Sequence, residues 1–423
     1  MGFVLGLKCK ECGREFPAEA LHVCDFCFGP LGVVYDYDRI KRTVRREDIE
    51  RGPRSMWRYA ALLPLDGDPK TGHATGYTPL LSAPRLGEAI GHRNLYIKND
   101  AVNVPTLSFK DRVVAVAASK ALELGFDTLS CASTGNLAGA VAAHAAAAGM
   151  SAVIFVPETL EPTKIRATLV YAPHLVAVQG DYDQVNRLCS ELSGKYPWAF
   201  VNINIRAYYA EGSKTLGYEI IEALGWRTPR HIVIPVASGS LLAKTALGIR
   251  EMMDFGWVAG DFPSIHAAQP EGCAPVAHAV RAGTTNIAPV HANTIAKSLA
   301  IGNPADGYYA AKTCLDSGGS ASAVTDDEVV EGIRLLASTE GILGETAAGV
   351  TVATARNLIR EGRIAPDETT VLTVTGNGLK TLEALEATED EPIRVAAKFD
   401  DADRVLSRLS VGRRASSALA GTR

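Results

Sequence analysis

From Tyr77 onward, short apolar runs alternate with longer stretches in which apolar residues recur every three or four positions. The runs predict strands over 94–98, 128–132, 152–156, 175–179, 199–202, 231–235 and 370–374. The periodic stretches predict helices over 112–124, 137–148, 164–169, 183–192, 212–224, 326–339 and 346–361, with another opening at Leu241. Strand and helix in such alternation predict an α/β fold whose parallel sheets are covered by helices on both faces. Sheets of that kind bind ligands at the carboxyl ends of their strands. Chemistry is therefore expected in the loops that leave those ends.

The start of the chain breaks the pattern. Cys9-Lys-Glu-Cys12 and Cys24-Asp-Phe-Cys27 are two CxxC pairs with eleven residues between them. Four thiolates so spaced can surround one zinc ion tetrahedrally, and a closed set leaves no position for a reacting water, so its role is structural. The alternative, a redox dithiol, usually comes singly and opens a helix after a strand. His22 reads as solvated, with replacement of a cysteine ligand as the other option. Residues 1–32 are thus expected to form a zinc-ribbon-like module. Residues 33–76 mix charge with Gly52, Pro53, Pro64, Gly67, Pro69, Gly72 and Gly76, and read as an arm that wraps a core. At the other end, 386–423 reads as an extension with an acidic run at 388–391, a helix over 394–409 and a Ser-, Arg-, Gly- and Ala-rich end expected to be disordered.

Composition narrows the function. The 423 residues are 47% hydrophobic and 21% charged, with a net charge of −4, which gives no case for nucleic acid or a membrane surface as partner. A small-molecule substrate is the default. The first residues are apolar but short and run into a cysteine pair, unlike a secretory leader, and four of the eight cysteines are scattered, so a cytoplasmic protein is expected. Cys131, Cys189, Cys273 and Cys314 read as small core residues, and His144, His266 and His278 as buried or capping groups.

Candidate chemistry gathers around Pro105 to Arg112, which sets Lys110 between a polar turn and an apolar helix containing Val113, Val114, Val116 and Ala117. A lysine amine attacks a carbonyl cofactor such as pyridoxal phosphate (PLP) when a partly dry pocket disfavours its charge. Lys110 is the candidate nucleophile, against a plain surface Lys-Asp-Arg at a helix start. Three strand ends offer the rest. Ser133 and Thr134 provide hydroxyls and an exposed helix start to a carboxylate, or serve only as caps, and Asn136 offers an amide to a ring oxygen. Ala237-Ser238-Gly239-Ser240-Leu241 is a small-residue turn at a helix start, suited to a phosphate or merely tight. Thr375, closing the run 370–374, offers a neutral hydroxyl to a ring nitrogen, while the glycines after it serve the turn. A lysine, an amide loop, a phosphate-sized turn and such a hydroxyl are together the parts of a PLP site.

These residues resemble the threonine synthase family, PLP-dependent enzymes of the fold type II architecture shared with the tryptophan synthase β-subunit. The resemblance rests on 105–112, 132–136, 204–215, 298–304, 340–350 and 375–380, and the cysteine-rich start is similar to a form of the family that carries such a module. It implies a two-lobed catalytic core over 77–385, the smaller lobe at about 120–205. It implies that Lys110 carries PLP as a Schiff base and moves the substrate proton, that Asn136 meets the ring hydroxyl and Thr375 the pyridine nitrogen, and that Ala237 to Leu241 hold the cofactor phosphate. Ser133 and Thr134 would hold the substrate carboxylate, with Asn204, Arg206 and Lys214 as candidates for the substrate phosphate. The family reaction converts O-phospho-L-homoserine and water to L-threonine and phosphate by γ-elimination and β-addition. Leu107, Val113 and the Ala237–Ser240 cup depart from the family's usual smaller residue, glycine, and asparagine- and glycine-rich cup, and Arg206 stands farther before Glu211 than the family's arginine often does. Fold-level analogy implies a homodimer. Two competing readings are cysteate synthase, a zinc-module relative that joins phosphoserine to sulfite, and a noncatalytic zinc-stabilised scaffold.

Overall fold

The computed structural model describes residues 2–133, 135–385 and 392–409. Val4–Cys9 (β1), Glu15–Phe16 (β2) and Leu31–Tyr35 (β3) form an antiparallel sheet in the order β2-β1-β3. Leu80–Ser82 (β4) and Leu95–Asn99 (β5) begin a second sheet, which the chain leaves to build a third. That third sheet holds Thr128–Ala132 (β6), Ser151–Pro157 (β7), His174–Val178 (β8) and Ala199–Phe200 (β9), all parallel, in the order β8-β7-β6-β9. The chain then returns with His231–Pro235 (β10), Ser264–Pro270 (β11), Ala321–Val324 (β12) and Thr370–Val374 (β13). The second sheet is thereby completed as β12-β11-β10-β13-β5-β4, parallel except where β4 meets β5.

The inner strands of both sheets are covered on two faces: every residue of β6, β10 and β13 is buried, whereas the edge strands β8 and β4 carry exposed residues. Ile232, Ile234, Ile265 and Val371 of the six-stranded sheet pack with Ile249 and Met252 of the helix Ser240–Asp254 and with Leu216 and Ile220 of the helix Lys214–Ala223. Leu129, Cys131 and Ile154 of the four-stranded sheet pack with Val113, Val114 and Ala117 of the helix Lys110–Glu123 and Val141 of the helix Asn136–Ala147. Each such Ile, Leu or Val stabilises the fold by about 1.5–3 kcal/mol relative to leaving it in water.

Several expected elements differ. The helix expected over 212–224 runs Lys214–Ala223, and a further short helix, Arg206–Glu211, precedes it across Gly212. A Cβ on Gly212 would lie 2.5 Å from the Arg112 carbonyl oxygen, so only glycine lets this joint press against the Lys110 helix. The stretch 255–325, where no periodicity stood out, contains β11, β12 and the helices Pro275–Arg281 and Gly307–Asp316. The sequence of β11, Ser-Ile-His-Ala-Ala-Gln-Pro, hides a strand behind polar residues that are all buried. In the segment 33–76, Met56, Trp57, Leu63 and Leu65 form a buried cluster with Ala115 and Val116, and Ile40, Ile49, Tyr59 and Leu62 join the main core. β3 runs to Tyr35, so the expected boundary at residue 32 falls inside a strand.

Cys131, Cys189, Cys273 and Cys314 are buried, as are His144 and His266, whereas His278 is exposed. No helix among the described residues is long and apolar enough to cross a membrane. Beyond Thr381 lies a separate unit in which Phe399–Leu406 is helical; the acidic run 388–391 and the tail 410–423 lie outside the described residues.

Candidate active site

The turn before Lys110 is shaped by its own acid. Asp111 accepts from the Thr106 N–H at 3.0 Å and the Thr106 hydroxyl at 2.8 Å, closing residues 106–111 into a compact bend with Leu107 at a positive φ of 58°. The bend is pinned to the loop after β13, because Phe109 N–H donates to the Thr375 carbonyl at 2.8 Å and Asn377 N–H to the Leu107 carbonyl at 3.0 Å. Lys110 and Thr375 are thereby brought to one cavity of about 260 Å³ between the two parallel sheets' carboxyl ends. Lys110, Ser133, Asn136, Arg206, Ala237 to Leu241 and Thr375 all line it.

Burial pushes the Lys110 ammonium down to about 8, the nearby Glu345 carboxylate opposing part of that shift. Its Nζ lies 3.3 Å from the Tyr209 hydroxyl. Asn136 opens the helix over Asn136–Ala147 and donates from Nδ2 to Glu345 Oε2 at 2.7 Å, while its Oδ1 is buried without a partner. Thr375 Oγ1 donates to Glu345 Oε1 at 3.4 Å. Ser133 Oγ accepts from the N–H groups of Gly135 at 3.0 Å and Ala138 at 2.8 Å, so it caps the helix and keeps its own hydroxyl proton for a ligand.

The turn 237–241 fits a phosphate. The N–H groups of Ala237 to Leu241 donate to no acceptor among the described residues, and those at the start of the Ser240 helix point the positive end of its dipole into the cavity. Gly239 sits at φ 95°, and a Cβ there would meet the Asp306 carbonyl oxygen at 2.5 Å, so the cup needs glycine. Buried orphan atoms point the same way: Asn136 Oδ1, Asn202 Oδ1 and Ser298 Oγ belong to lining residues and have no partner. An unpaired anion cradle, a part-neutral lysine and orphaned polar atoms around one cavity are what a PLP-sized ligand would satisfy.

Two expected substrate residues lie elsewhere. Asn204 spends its amide on its own loop, donating to the Trp198 carbonyl at 3.0 Å and accepting from Phe200 N–H at 2.9 Å, and does not line the cavity. Lys214 is fully buried and held by Glu211 at 2.8 Å and Glu251 at 3.0 Å, so its charge is already neutralised away from the site. Arg206 does reach the cavity, where one terminal nitrogen pairs with Asp306 at 2.5 Å. Thr134 lies outside the described residues. Lining residues to which the sequence reading gave no role include Glu345, Tyr209 and Asn202. Glu345 carried one signal, a carboxylate directly before an unbroken run of small and apolar residues at 346–350.

The four module cysteines converge. Their sulfur atoms all lie within 4.8 Å of one another, Cys9 to Cys27 at 3.4 Å and Cys12 to Cys24 at 3.6 Å, and none forms a disulfide. Tetrahedral thiolates about 2.3 Å from a zinc ion stand roughly 3.8 Å apart, close to this spacing.

Comparison with known proteins agrees with this geometry. A family profile described as pyridoxal-phosphate dependent enzyme matches residues 72–376, and one described as NinF protein matches residues 8–32. The threonine synthase of Methanosarcina acetivorans is 36% identical over 93% of this chain and 96% of that protein. That of Methanocaldococcus jannaschii is 33% identical over 95% and 99%. Among solved structures, a fungal L-serine ammonia-lyase from Rhizomucor miehei covers 74% of this chain and 98% of its own at a TM-score of 0.63 and 24% identity. Maize serine racemase covers 72% and 90% at a TM-score of 0.60 and 19% identity. These last two show the shared fold.

Proposed function

The chain belongs to the threonine synthase branch of the pyridoxal-phosphate dependent enzyme family, and from that premise we propose that it converts O-phospho-L-homoserine and water to L-threonine and phosphate. The observation that carries the reading is Lys110, poised near neutrality in a cavity with an anion cradle at one wall and Arg206 at another. PLP would be held by Lys110, Asn136, Thr375 and residues 237–241, and when bound it supplies an electron sink for the loss of the Cα proton. Lys110, part-neutral near pH 7, takes that proton and returns one later. Ser133 offers its hydroxyl proton to the substrate carboxylate, and the Arg206 nitrogens not used by Asp306 draw the phosphate as it leaves. Burial of Phe109, Val113 and Thr375 around Lys110 limits the water that reaches the reacting carbons.

The test is a pair of incubations of PLP-loaded protein. O-phospho-L-homoserine alone is expected to give threonine and phosphate in equal amounts, and phosphoserine with sulfite to give no cysteate. The reverse result would establish the cysteate reading, and inertness of a PLP-loaded protein toward both would establish the scaffold reading. A homodimer and a cytoplasmic location belong to the same proposal by analogy with the fold.

The cysteine module is proposed to hold one structural zinc ion through Cys9, Cys12, Cys24 and Cys27, on the strength of the sulfur spacing. Metal analysis is expected to find about one zinc per chain, and a strong chelator to lower the melting temperature by several degrees, because metal binding is folding free energy in such modules. Protein free of zinc with an unchanged melting curve would end this assignment.

A further inference from the structure

A second cavity, of about 360 Å³, lies between the cysteine module and the catalytic core. His22, Arg206, Ser240 and Asp306 line both it and the Lys110 cavity, so the two meet at those residues. This junction is where the sequence left a question open. A phosphorylated substrate needs a second anion site beyond the 237–241 cup, and the structure removes Asn204 and Lys214 from it.

What the junction offers is positive charge that its one carboxylate, Asp306, engages only in part. Arg206 uses one Nη on Asp306 and keeps its other N–H groups. Lys244 and Lys312 in the outer cavity are each paired, with Glu211 and Asp316. Lys10 makes no ion pair among the described residues; its Nζ rests 4.4 Å from the centre of the Tyr309 ring and lines the outer cavity. His22 is exposed, lines both cavities and carries a ring N–H in either tautomer. Both His22 and Lys10 come from the cysteine module, on the loops that the four sulfurs tie together.

We propose that the module completes the active site, with His22 joining Arg206 at the junction of the two cavities to bind the substrate's phosphate, and Lys10, in the outer cavity just beyond, drawing it outward as inorganic phosphate. The inference rests on the proposed reaction and deepens it. It gives the module a part in substrate recognition, since a site without it has Arg206 alone, already shared with Asp306. Charge-assisted hydrogen bonds from a ring N–H, an ammonium and a guanidinium suit a dianion that must both bind and leave.

The experiment uses PLP-loaded enzyme, whose cofactor cup is filled, and measures equilibrium binding of inorganic phosphate alongside turnover of O-phospho-L-homoserine. His22→Ala with Lys10→Ala is expected to weaken phosphate binding about 10- to 100-fold, the range for losing charged hydrogen bonds. KM should rise in parallel while kcat changes less than about threefold. Lys10→Arg should keep phosphate affinity within about twofold, because the charge stays. Unchanged phosphate affinity in the double variant, with zinc content and cofactor absorbance at wild-type levels, overturns the proposal. If wild type binds phosphate but never releases it from O-phospho-L-homoserine, the reaction is wrong, and the double variant's phosphate affinity still decides the site. Should the double variant fail to fold, Lys10→Glu alone decides: loss of phosphate binding supports the site, and full binding overturns it.

Discussion

Lys110→Ala is expected to lower threonine formation by at least about 1000-fold and to leave PLP without a covalent attachment, since in the proposed reaction one side chain serves as both nucleophile and proton carrier. The substitution removes no structural bond beyond the contact with the Tyr209 hydroxyl, so the protein should fold and still take up the cofactor at the 237–241 cup. A wild-type control adds a sharper signature. Because burial holds the Lys110 ammonium down to about 8, the neutral amine is the minor form at pH 6.5 and the major one at pH 9. The rate at which cofactor-free protein captures PLP covalently should therefore climb with pH and level off above about 8, where an ordinary lysine would still be rising. Capture by Lys110→Ala at the wild-type rate would mean that another lysine carries the cofactor.

The second large effect lies two residues on. Arg112 is fully buried and forks onto Asp100, with Nε to Oδ2 at 2.7 Å and Nη2 to Oδ1 at 2.8 Å. The same guanidinium donates to Glu219 at 2.5 and 2.8 Å, to Thr215 at 3.0 Å and to Thr78 at 3.0 Å. It thus ties the end of β5 and the helix Lys214–Ala223 to the helix that begins with Lys110. Arg112→Met should cost about 3–5 kcal/mol in urea unfolding, because Asp100 loses the guanidinium it is paired with and stays buried. Arg112→Lys should recover part of this, since it restores the charge but not the fork. Acid dependence carries the same information. Lys98 and Arg112 overcome the burial of Glu219 and hold its carboxyl down to about 2, below the usual carboxylate range. Its contribution to stability is present above about pH 4.3, the unfolded value, and is lost as pH falls toward 2. In Arg112→Met that acid limb should be shallower. A variant within about 1 kcal/mol of wild type would mean that water reaches the network.

The residues proposed to hold the cofactor were legible because each is announced by its local sequence. A lysine before an apolar helix, a small-residue turn after a strand and a threonine at a strand end state their environments within a few positions, and the structure gathers them around one cavity. The substrate side was less legible, because it depends on facing directions that spacing does not fix. Lys214 lies in the motif that suggested it, yet its side chain turns to Glu211 three residues before it and to Glu251 on another helix. Asn204 serves its own loop, whereas Asn202, two positions earlier, leaves an unpaired oxygen in the cavity wall. Glu345 looks like any acid at a helix start until the fold brings Asn136 and Thr375 to its two oxygens. The strand β11 was hidden for a similar reason: buried His266 and Gln269 find partners, His231 at 3.0 Å and the Val236 carbonyl at 3.1 Å, that lie 35 and 33 residues away.

The central claim, that the site around Lys110 eliminates phosphate from carbon and adds water at the neighbouring carbon, is tested most directly by running the reaction in ¹⁸O-water. The C–O bond at Cγ breaks, so phosphate leaves with the four oxygens it brought, and the new hydroxyl oxygen at Cβ comes from solvent. One ¹⁸O in the threonine hydroxyl and none in the released phosphate is the predicted result. Label in the phosphate, with homoserine in place of threonine, would show hydrolysis of the phosphate ester and would contradict the account.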